Sequence, residues 1–254
     1  MSKGSQPKID YHLHYQRLHQ FSDEYYRMMK RFYLRVLKAF LPADKSARIL
    51  DFGCGTGFLL NALIENGYSN AFGVDSDAGQ VEIARQRHLP VEQIEAEQTM
   101  EFLASLEGRL DLVFMIDVLE HIQKDLQIEM LGMVRSTLTP QGSLVCQVPN
   151  ALWMLGTYVR YTDWTHEMLF TVDSLAFLLE NAGMSIISIG AGHDRPSPPR
   201  NALASIAVPP LRWILQGATG SIWKVFVVSS LGLGSGLSHP ISANLIAVAG
   251  RKSP

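Results

Sequence analysis

The stretch Ile49-Leu50-Asp51-Phe52-Gly53-Cys54-Gly55-Thr56-Gly57 constrains this chain more than any other. Arg48 to Phe52 reads as a short apolar strand, and three alternate glycines follow it. Phe58 to Asn66 then carries apolar residues at helical spacing. A strand, a glycine-rich turn and a helix in that order form a nucleotide site in a doubly wound α/β domain. The glycines let the backbone approach a ligand closely, and the helix start offers N–H groups. The dinucleotide fingerprint G-x-G-x-x-G fails here, because position 58 is Phe. What stands instead is D-x-G-x-G-x-G, with Asp51 two residues before Gly53. An acid there repels a phosphate but pairs with an ammonium group.

The alternation of strand and helix continues downstream. Asn70 to Asp75 reads as a second strand ending in an acid, 24 residues after Asp51. A carboxylate at that strand end can accept both hydroxyls of a ribose, or it can cap the helix that runs to His88. Val91 to Ala96 is a weak third strand, and Leu110 to Asp117 a fourth. A helix from about Lys124 to Leu138 and a turn at Thr139 to Ser143 lead to a fifth strand, Leu144 to Val148. Ala151 to Asp163 breaks the alternation. Thr171 to Ser174 caps a helix over Leu175 to Ala182, with Gly183 as its C-cap. Ser185 to Ile189 and Ala243 to Ala249 are the sixth and seventh strands. Ahead of the first strand, His12 to Leu41 carries a helical stripe of Tyr25, Met28, Met29, Phe32, Tyr33, Val36, Leu37 and Phe40. His12, His14 and His19 lack further ligands nearby and read as a solvated helix face.

The D-x-G-x-G-x-G turn resembles the first motif of class I S-adenosylmethionine-dependent methyltransferases. Asp117-Val118-Leu119-Glu120-His121-Ile122 resembles the fourth motif of many sugar and small-molecule methyltransferases. The resemblance covers about residues 45 to 190. It implies a doubly wound, Rossmann-like seven-stranded sheet whose last strand is antiparallel, with S-adenosylmethionine as cofactor and S-adenosylhomocysteine as product. It also implies roles for individual residues. Asp51, Gly53, Cys54, Gly55 and Gly57 surround the methionine part, Asp75 and Ser76 the ribose, and Asp117 the crevice floor. Gln98 fills the place of an acid near the adenine. Pro149-Asn150 followed by Asp163-Trp164-Thr165-His166-Glu167 resembles methyltransferases of bacterial surface-glycan and sugar biosynthesis, which carries the base to His166.

In a sheet of that kind, the link from strand six to strand seven begins and ends at the crevice. Gly190 to Ser242 is far longer than a hairpin turn. The expected organisation is therefore a helical N-terminal segment (1–44), a methyltransferase core (45–192), an apolar helical cap (193–240), and the last strand with its tail (241–254). Leu211 to Leu231 is apolar but broken by Arg212, Lys224, Gly217 and Gly220, so it reads as a cap or a lipid-touching surface and not as a spanning helix.

With 22 basic and 24 acidic residues, the formal net charge is -2. The strong basic footprint of a general nucleic-acid binder is absent. Two cysteines, Cys54 and Cys146, are no disulfide framework, and Met1 to Asp10 lacks an apolar signal core. These features predict a cytoplasmic protein, with peripheral membrane contact through 211–231 as a further option.

Methyl transfer to a hydroxyl requires a base, and a histidine titrates near neutrality. His166 is the first candidate and His121 the second. The expected activity is O-methylation of a sugar, a glycan or a glycosylated small molecule. Asp117, Glu120, His121 and His166 also resemble the ligand set of two metal-dependent branches, which act on RNA 2′-hydroxyls and on ubiquinone precursors. Metal-free action is the favoured reading, and a divalent ion on these four residues the alternative. A non-catalytic module binding the cofactor or a partner is the second alternative, and a nicotinamide-dependent oxidoreductase the weakest.

Overall fold

The computed structural model describes residues 22–192 and 242–252. The first helix, α1 (Asp23–Leu37), starts where Ser22 Oγ accepts from the Tyr25 N–H. It presents Tyr25, Tyr26, Met29, Phe32, Tyr33 and Leu37 as a buried stripe and ends in a 3-10 turn, Lys38–Phe40. The predicted helical stripe thus forms from Asp23 onward; His12, His14 and His19 lie outside the described residues.

The core follows as β1 (Ile49–Phe52), α2 (Phe58–Glu65), β2 (Ala71–Asp75), α3 (Ala78–Gln86), β3 (Val91–Gln93), α4 (Thr99–Ser105) and β4 (Leu110–Ile116). Next come α5 (Gln127–Thr137), β5 (Leu138–Pro149), α6 (Gly156–Thr162), α7 (Val172–Asn181), β6 (Met184–Ala191) and β7 (Asn244–Arg251). The seven strands form one sheet in the order β3-β2-β1-β4-β5-β7-β6. The pairs from β3 to β5 are parallel, while β7 runs antiparallel to both β5 and β6. This is the fold class that the sequence predicts.

The centre of the sheet is buried on both faces, as parallel sheets covered by helices are, while the edge strand β6 is largely exposed. Along β4, Leu112, Phe114 and Ile116 pack with α1, α2 and α3, whereas Val113 and Met115 pack with α4, α5 and α7. Such alternation is the period-two geometry of a strand. The strand order reverses between β1 and β4, and open α/β sheets hold ligands just beyond the carboxyl ends at that point.

Several expected boundaries move. β3 stops at Gln93, because Glu95 caps a 3-10 turn over Ala96–Gln98. The expected turn at Thr139 to Ser143 lies inside β5, which already pairs Leu138 with Leu110 before an irregular register shift. The Ala151 to Asp163 segment contains an additional helix, α6. Thr171 caps α7 through Ser174 as predicted, and Asp77, not Asp75, caps α3 through the Gln80 N–H. The 193–240 cap lies outside the described residues.

Candidate active site

A cavity of about 1100 Å³ opens at the carboxyl ends of β1, β2 and β4. Its floor is the glycine turn. Gly53, Gly55 and Gly57 all have positive φ, of 74°, 55° and 79°. A Cβ on Gly53 would meet Val118 Cγ2 at 2.5 Å, and one on Gly57 would meet Leu89 Cδ1 at 2.4 Å. Glycine is therefore needed for the conformation and for the close packing as well. The Gly53 and Cys54 N–H groups donate to Val74 O at 2.8 and 2.9 Å, which ties the turn to β2.

Asp51 is 3% exposed at the cavity wall. Asp75, at the end of β2, accepts from the Gly55 N–H at 2.8 Å and the Asp77 N–H at 2.9 Å. Burial pushes its carboxyl above the ordinary range, and those N–H groups oppose the shift. Burial likewise pushes the Cys54 thiol well up, with the carboxylates of Asp51 and Asp75 adding to the effect. Cys54 and Ser76 line the cavity beside them, whereas Gly57 supports the turn from outside the lining.

Gln98 corrects an expectation. Its side chain turns back to accept from the Glu95 N–H at 3.4 Å, completing a capping box, so it does not line the cavity. The acids that line this side are Glu95 and Glu97. Gln93 Nε2 donates to Glu95 Oε1 at 2.8 Å.

At the end of β4, Asp117 adopts φ 57°, a left-handed conformation rare for a side-chain-bearing residue. Two bonds to the neighbouring strand hold it there. Its N–H donates to Gln147 O at 3.0 Å, and Gln147 Nε2 donates to Asp117 Oδ1 at 3.0 Å. The chain then makes a 3-10 turn through Leu119–His121, which buries Glu120 completely.

The second half of the site comes from the segment after β5. α6 ends at Thr162, and Asp163 turns the chain so that Thr165 and His166 face the cavity wall formed by His121. The His121 and His166 rings lie 4.7 Å apart between centroids. His166 Nδ1 lies 3.1 Å from Val159 O; a carbonyl only accepts, so the proton sits on Nδ1 and the lone pair on Nε2. Burial holds His166 below the ordinary imidazole range. Burial, with the neighbouring His166 second, lowers His121 to about 4.

One oxygen or nitrogen each from Glu120, His121 and His166 lies within 4.8 Å of the others. Asp117 is not a member of that group, which reduces the four-residue set expected from sequence to three. Sequence reading missed Asp163, Thr165 and Gln147, which organise the site, and Tyr33, Asn244 and Val159, which line it. Asp163 and Thr165 were named only within a motif and Tyr33 only in the helical stripe, and nothing in the local spacing of the others marked them.

The electrostatics select the ligand. Eight carboxylate residues line the cavity: Asp51, Asp75, Asp77, Glu95, Glu97, Asp117, Glu120 and Asp163. Among the described residues that line it, there is no lysine or arginine. A pyrophosphate would be repelled, whereas a sulfonium cation carrying an ammonium group is attracted. The glycine cradle and this donor set fit S-adenosylmethionine. They do not fit a nicotinamide dinucleotide.

Sheet order, glycine turn and acid-lined crevice define a class I S-adenosylmethionine-dependent methyltransferase. By sequence the chain belongs to the methyltransferase domain family, which matches residues 24–189. No curated protein matches the chain. Among solved structures it is similar to a SAM-dependent methyltransferase from Archaeoglobus fulgidus, at 19% identity and TM-score 0.61, covering 95% of this chain and 99% of that one. It is also similar to the magnesium protoporphyrin IX methyltransferase of Synechocystis with bound SAH, at 17% identity and TM-score 0.56, covering 94% and 93%. A third is an S-adenosylmethionine-dependent methyltransferase from Mesorhizobium loti, at 16% identity and TM-score 0.54, covering 86% and 97%.

Proposed function

We propose that this enzyme methylates a hydroxyl oxygen, on a sugar residue of a glycan or of a glycosylated small molecule. The observation that carries this reading is the pair of imidazoles, His121 and His166, facing each other at the cavity wall. Both are held below the ordinary imidazole range, so both are neutral at pH 7. A neutral imidazole beside the acceptor takes the proton that a hydroxyl must lose. His166 is the first choice for base, with its lone pair on Nε2, and His121 the second. A polar wall that includes Asp163, Thr165 and Asn244 suits a polyhydroxylated acceptor.

The cofactor supplies an electrophilic methyl group on a sulfonium. Asp51, Gly53, Cys54 and Gly55 would hold its methionine part, with Asp117 at the crevice floor. Asp75 and Ser76 would hold the ribose, while Glu95 and Glu97 would face the adenine. Aligning the acceptor oxygen with the methyl group is the work of the protein.

His166→Ala is expected to lower turnover by about 10²- to 10⁴-fold and leave cofactor affinity near its original value. A collapse of cofactor binding in calorimetry would sink the assignment. Sugar acceptors screened by mass spectrometry should gain one methyl, and failure of every hydroxyl acceptor would remove the substrate class.

A second reading rests on the convergence of Glu120, His121 and His166. A divalent cation on these three would bind the acceptor oxygen and lower the pKa of its hydroxyl, which suits a phenol, a quinone precursor or an RNA 2′-hydroxyl. Sensitivity to EDTA with rescue by magnesium or manganese identifies this route.

A further inference from the structure

His121 does not stand alone at the cavity wall. Its Nδ1 lies 2.8 Å from Thr165 Oγ1, across 44 residues of chain. Thr165 Oγ1 in turn donates to Asp163 Oδ1 at 2.6 Å, and the Thr165 N–H donates to the same oxygen at 2.9 Å. Direction along this chain follows from proton counting. Asp163 Oδ1 already accepts the Thr165 N–H, so it presents a lone pair and not a proton towards Thr165, and it accepts from the hydroxyl as well. The single hydroxyl proton of Thr165 is committed to it. Oγ1 can then only accept from His121, which places the imidazole proton on Nδ1.

We propose that Asp163 and Thr165 are positioning residues, a carboxylate–hydroxyl relay that locks His121 in its Nδ1-protonated tautomer and keeps the Nε2 lone pair for the reaction. His166 reaches the same tautomer by a different route, through the Val159 carbonyl. Two imidazoles on separate segments are thus tied down at Nδ1 beside the buried Glu120. Hydrogen bonds behind a functional imidazole fix its tautomer and aim its ring. The relay adds to the proposed function a reason for the Asp-x-Thr-His spacing. Asp163 bends the chain through Thr165, Thr165 reaches His121, and His166 follows within the same turn.

The relay predicts different behaviour for near-isosteric changes. Thr165→Val removes the hydroxyl and keeps the shape; Thr165→Ser keeps the hydroxyl. In the full chain with cofactor, ¹⁵N NMR of His121, assigned with His121→Gln, should show one tautomer in the native protein and in Thr165→Ser. Thr165→Val should show a mixture. Turnover of Thr165→Val should fall about 10- to 100-fold, in kcat more than in KM, with cofactor affinity unchanged. Thr165→Ser should recover most of that loss. Thr165→Ala provides the same comparison if the valine variant is unstable. An unchanged His121 tautomer in Thr165→Val, or equal behaviour of the serine and valine variants, overturns the proposal. The inference rests on the hydroxyl-methylating reading only for turnover, since the tautomer is read without acceptor. A shifted tautomer in Thr165→Val, with full activity retained in His121→Gln, supports the relay and refutes His121 as a base.

Discussion

At the scale of single residues, Asp117 shows how the site trades local comfort for position. A left-handed φ of 57° costs a residue with a side chain on the order of 1 kcal/mol, and its two bonds to Gln147 offset that cost. Asp117→Gly should leave thermal stability nearly unchanged yet weaken cofactor binding, as calorimetry beside a melting curve can show. His121 makes a second prediction, with a definite sign. Its folded pKa of about 4 lies below the ordinary value of 6.5, so between these limits the unfolded chain binds a proton that the folded chain does not. The stability that burial of the neutral ring requires is present above pH 6.5 and is lost as pH falls toward 4, at most on the order of 3 kcal/mol. Urea midpoints at pH 7 and pH 5 should separate, and His121→Gln should narrow the gap. An equal gap in the variant removes His121 as its source.

At the scale of elements, α1 braces the glycine turn. Tyr26 donates its hydroxyl to Thr56 O at 2.6 Å and packs against Phe58 with centroids 4.5 Å apart. The Arg87 guanidinium lies 3.5 Å over the same ring. Tyr26→Phe should cost about 1 kcal/mol and Tyr26→Ala about 3–5 kcal/mol in urea unfolding, with weaker cofactor binding in both. Equal losses in the two variants would mean that the ring packing contributes nothing, and no loss in Tyr26→Phe that the hydroxyl bond contributes nothing. The elements were legible in the sequence wherever their periodicity was strong. The alternate glycines follow one apolar strand, Asp75 and Asp117 end others, and each position follows from the strand register. α6 was not legible, because its Tyr158 and Tyr161 are 68 and 74% exposed and give the helix no apolar stripe facing inward. Gln98 misled for a local reason, since a capping box consumed its side chain. Asp163 and Thr165 could not be read as a pair with His121, because a hydrogen bond spanning 44 residues leaves no trace in spacing.

At the scale of the whole molecule, the topological switch between β1 and β4 creates the crevice, and distant parts of the chain furnish it, among them the turns after β1 and β2, the turn after β3 with Glu95 and Glu97, the end of β4, and the segment from α6 to His166. No helix among the described residues is long and apolar enough to cross a membrane. A formal charge of only -2 conceals how unevenly the acids are distributed, since eight carboxylate residues line one cavity without a lysine or arginine among the described lining residues. S-adenosylmethionine affinity should therefore fall with rising ionic strength, more steeply than that of S-adenosylhomocysteine. Parallel slopes in calorimetry would count against the acidic wall as the source. The wall also bears on turnover. Once the methyl group has left, the sulfur is a neutral thioether, and the carboxylates no longer face the charge that favoured binding. On charge alone, then, the wall favours the fresh cofactor over the spent one, a difference that competition binding of the two would measure.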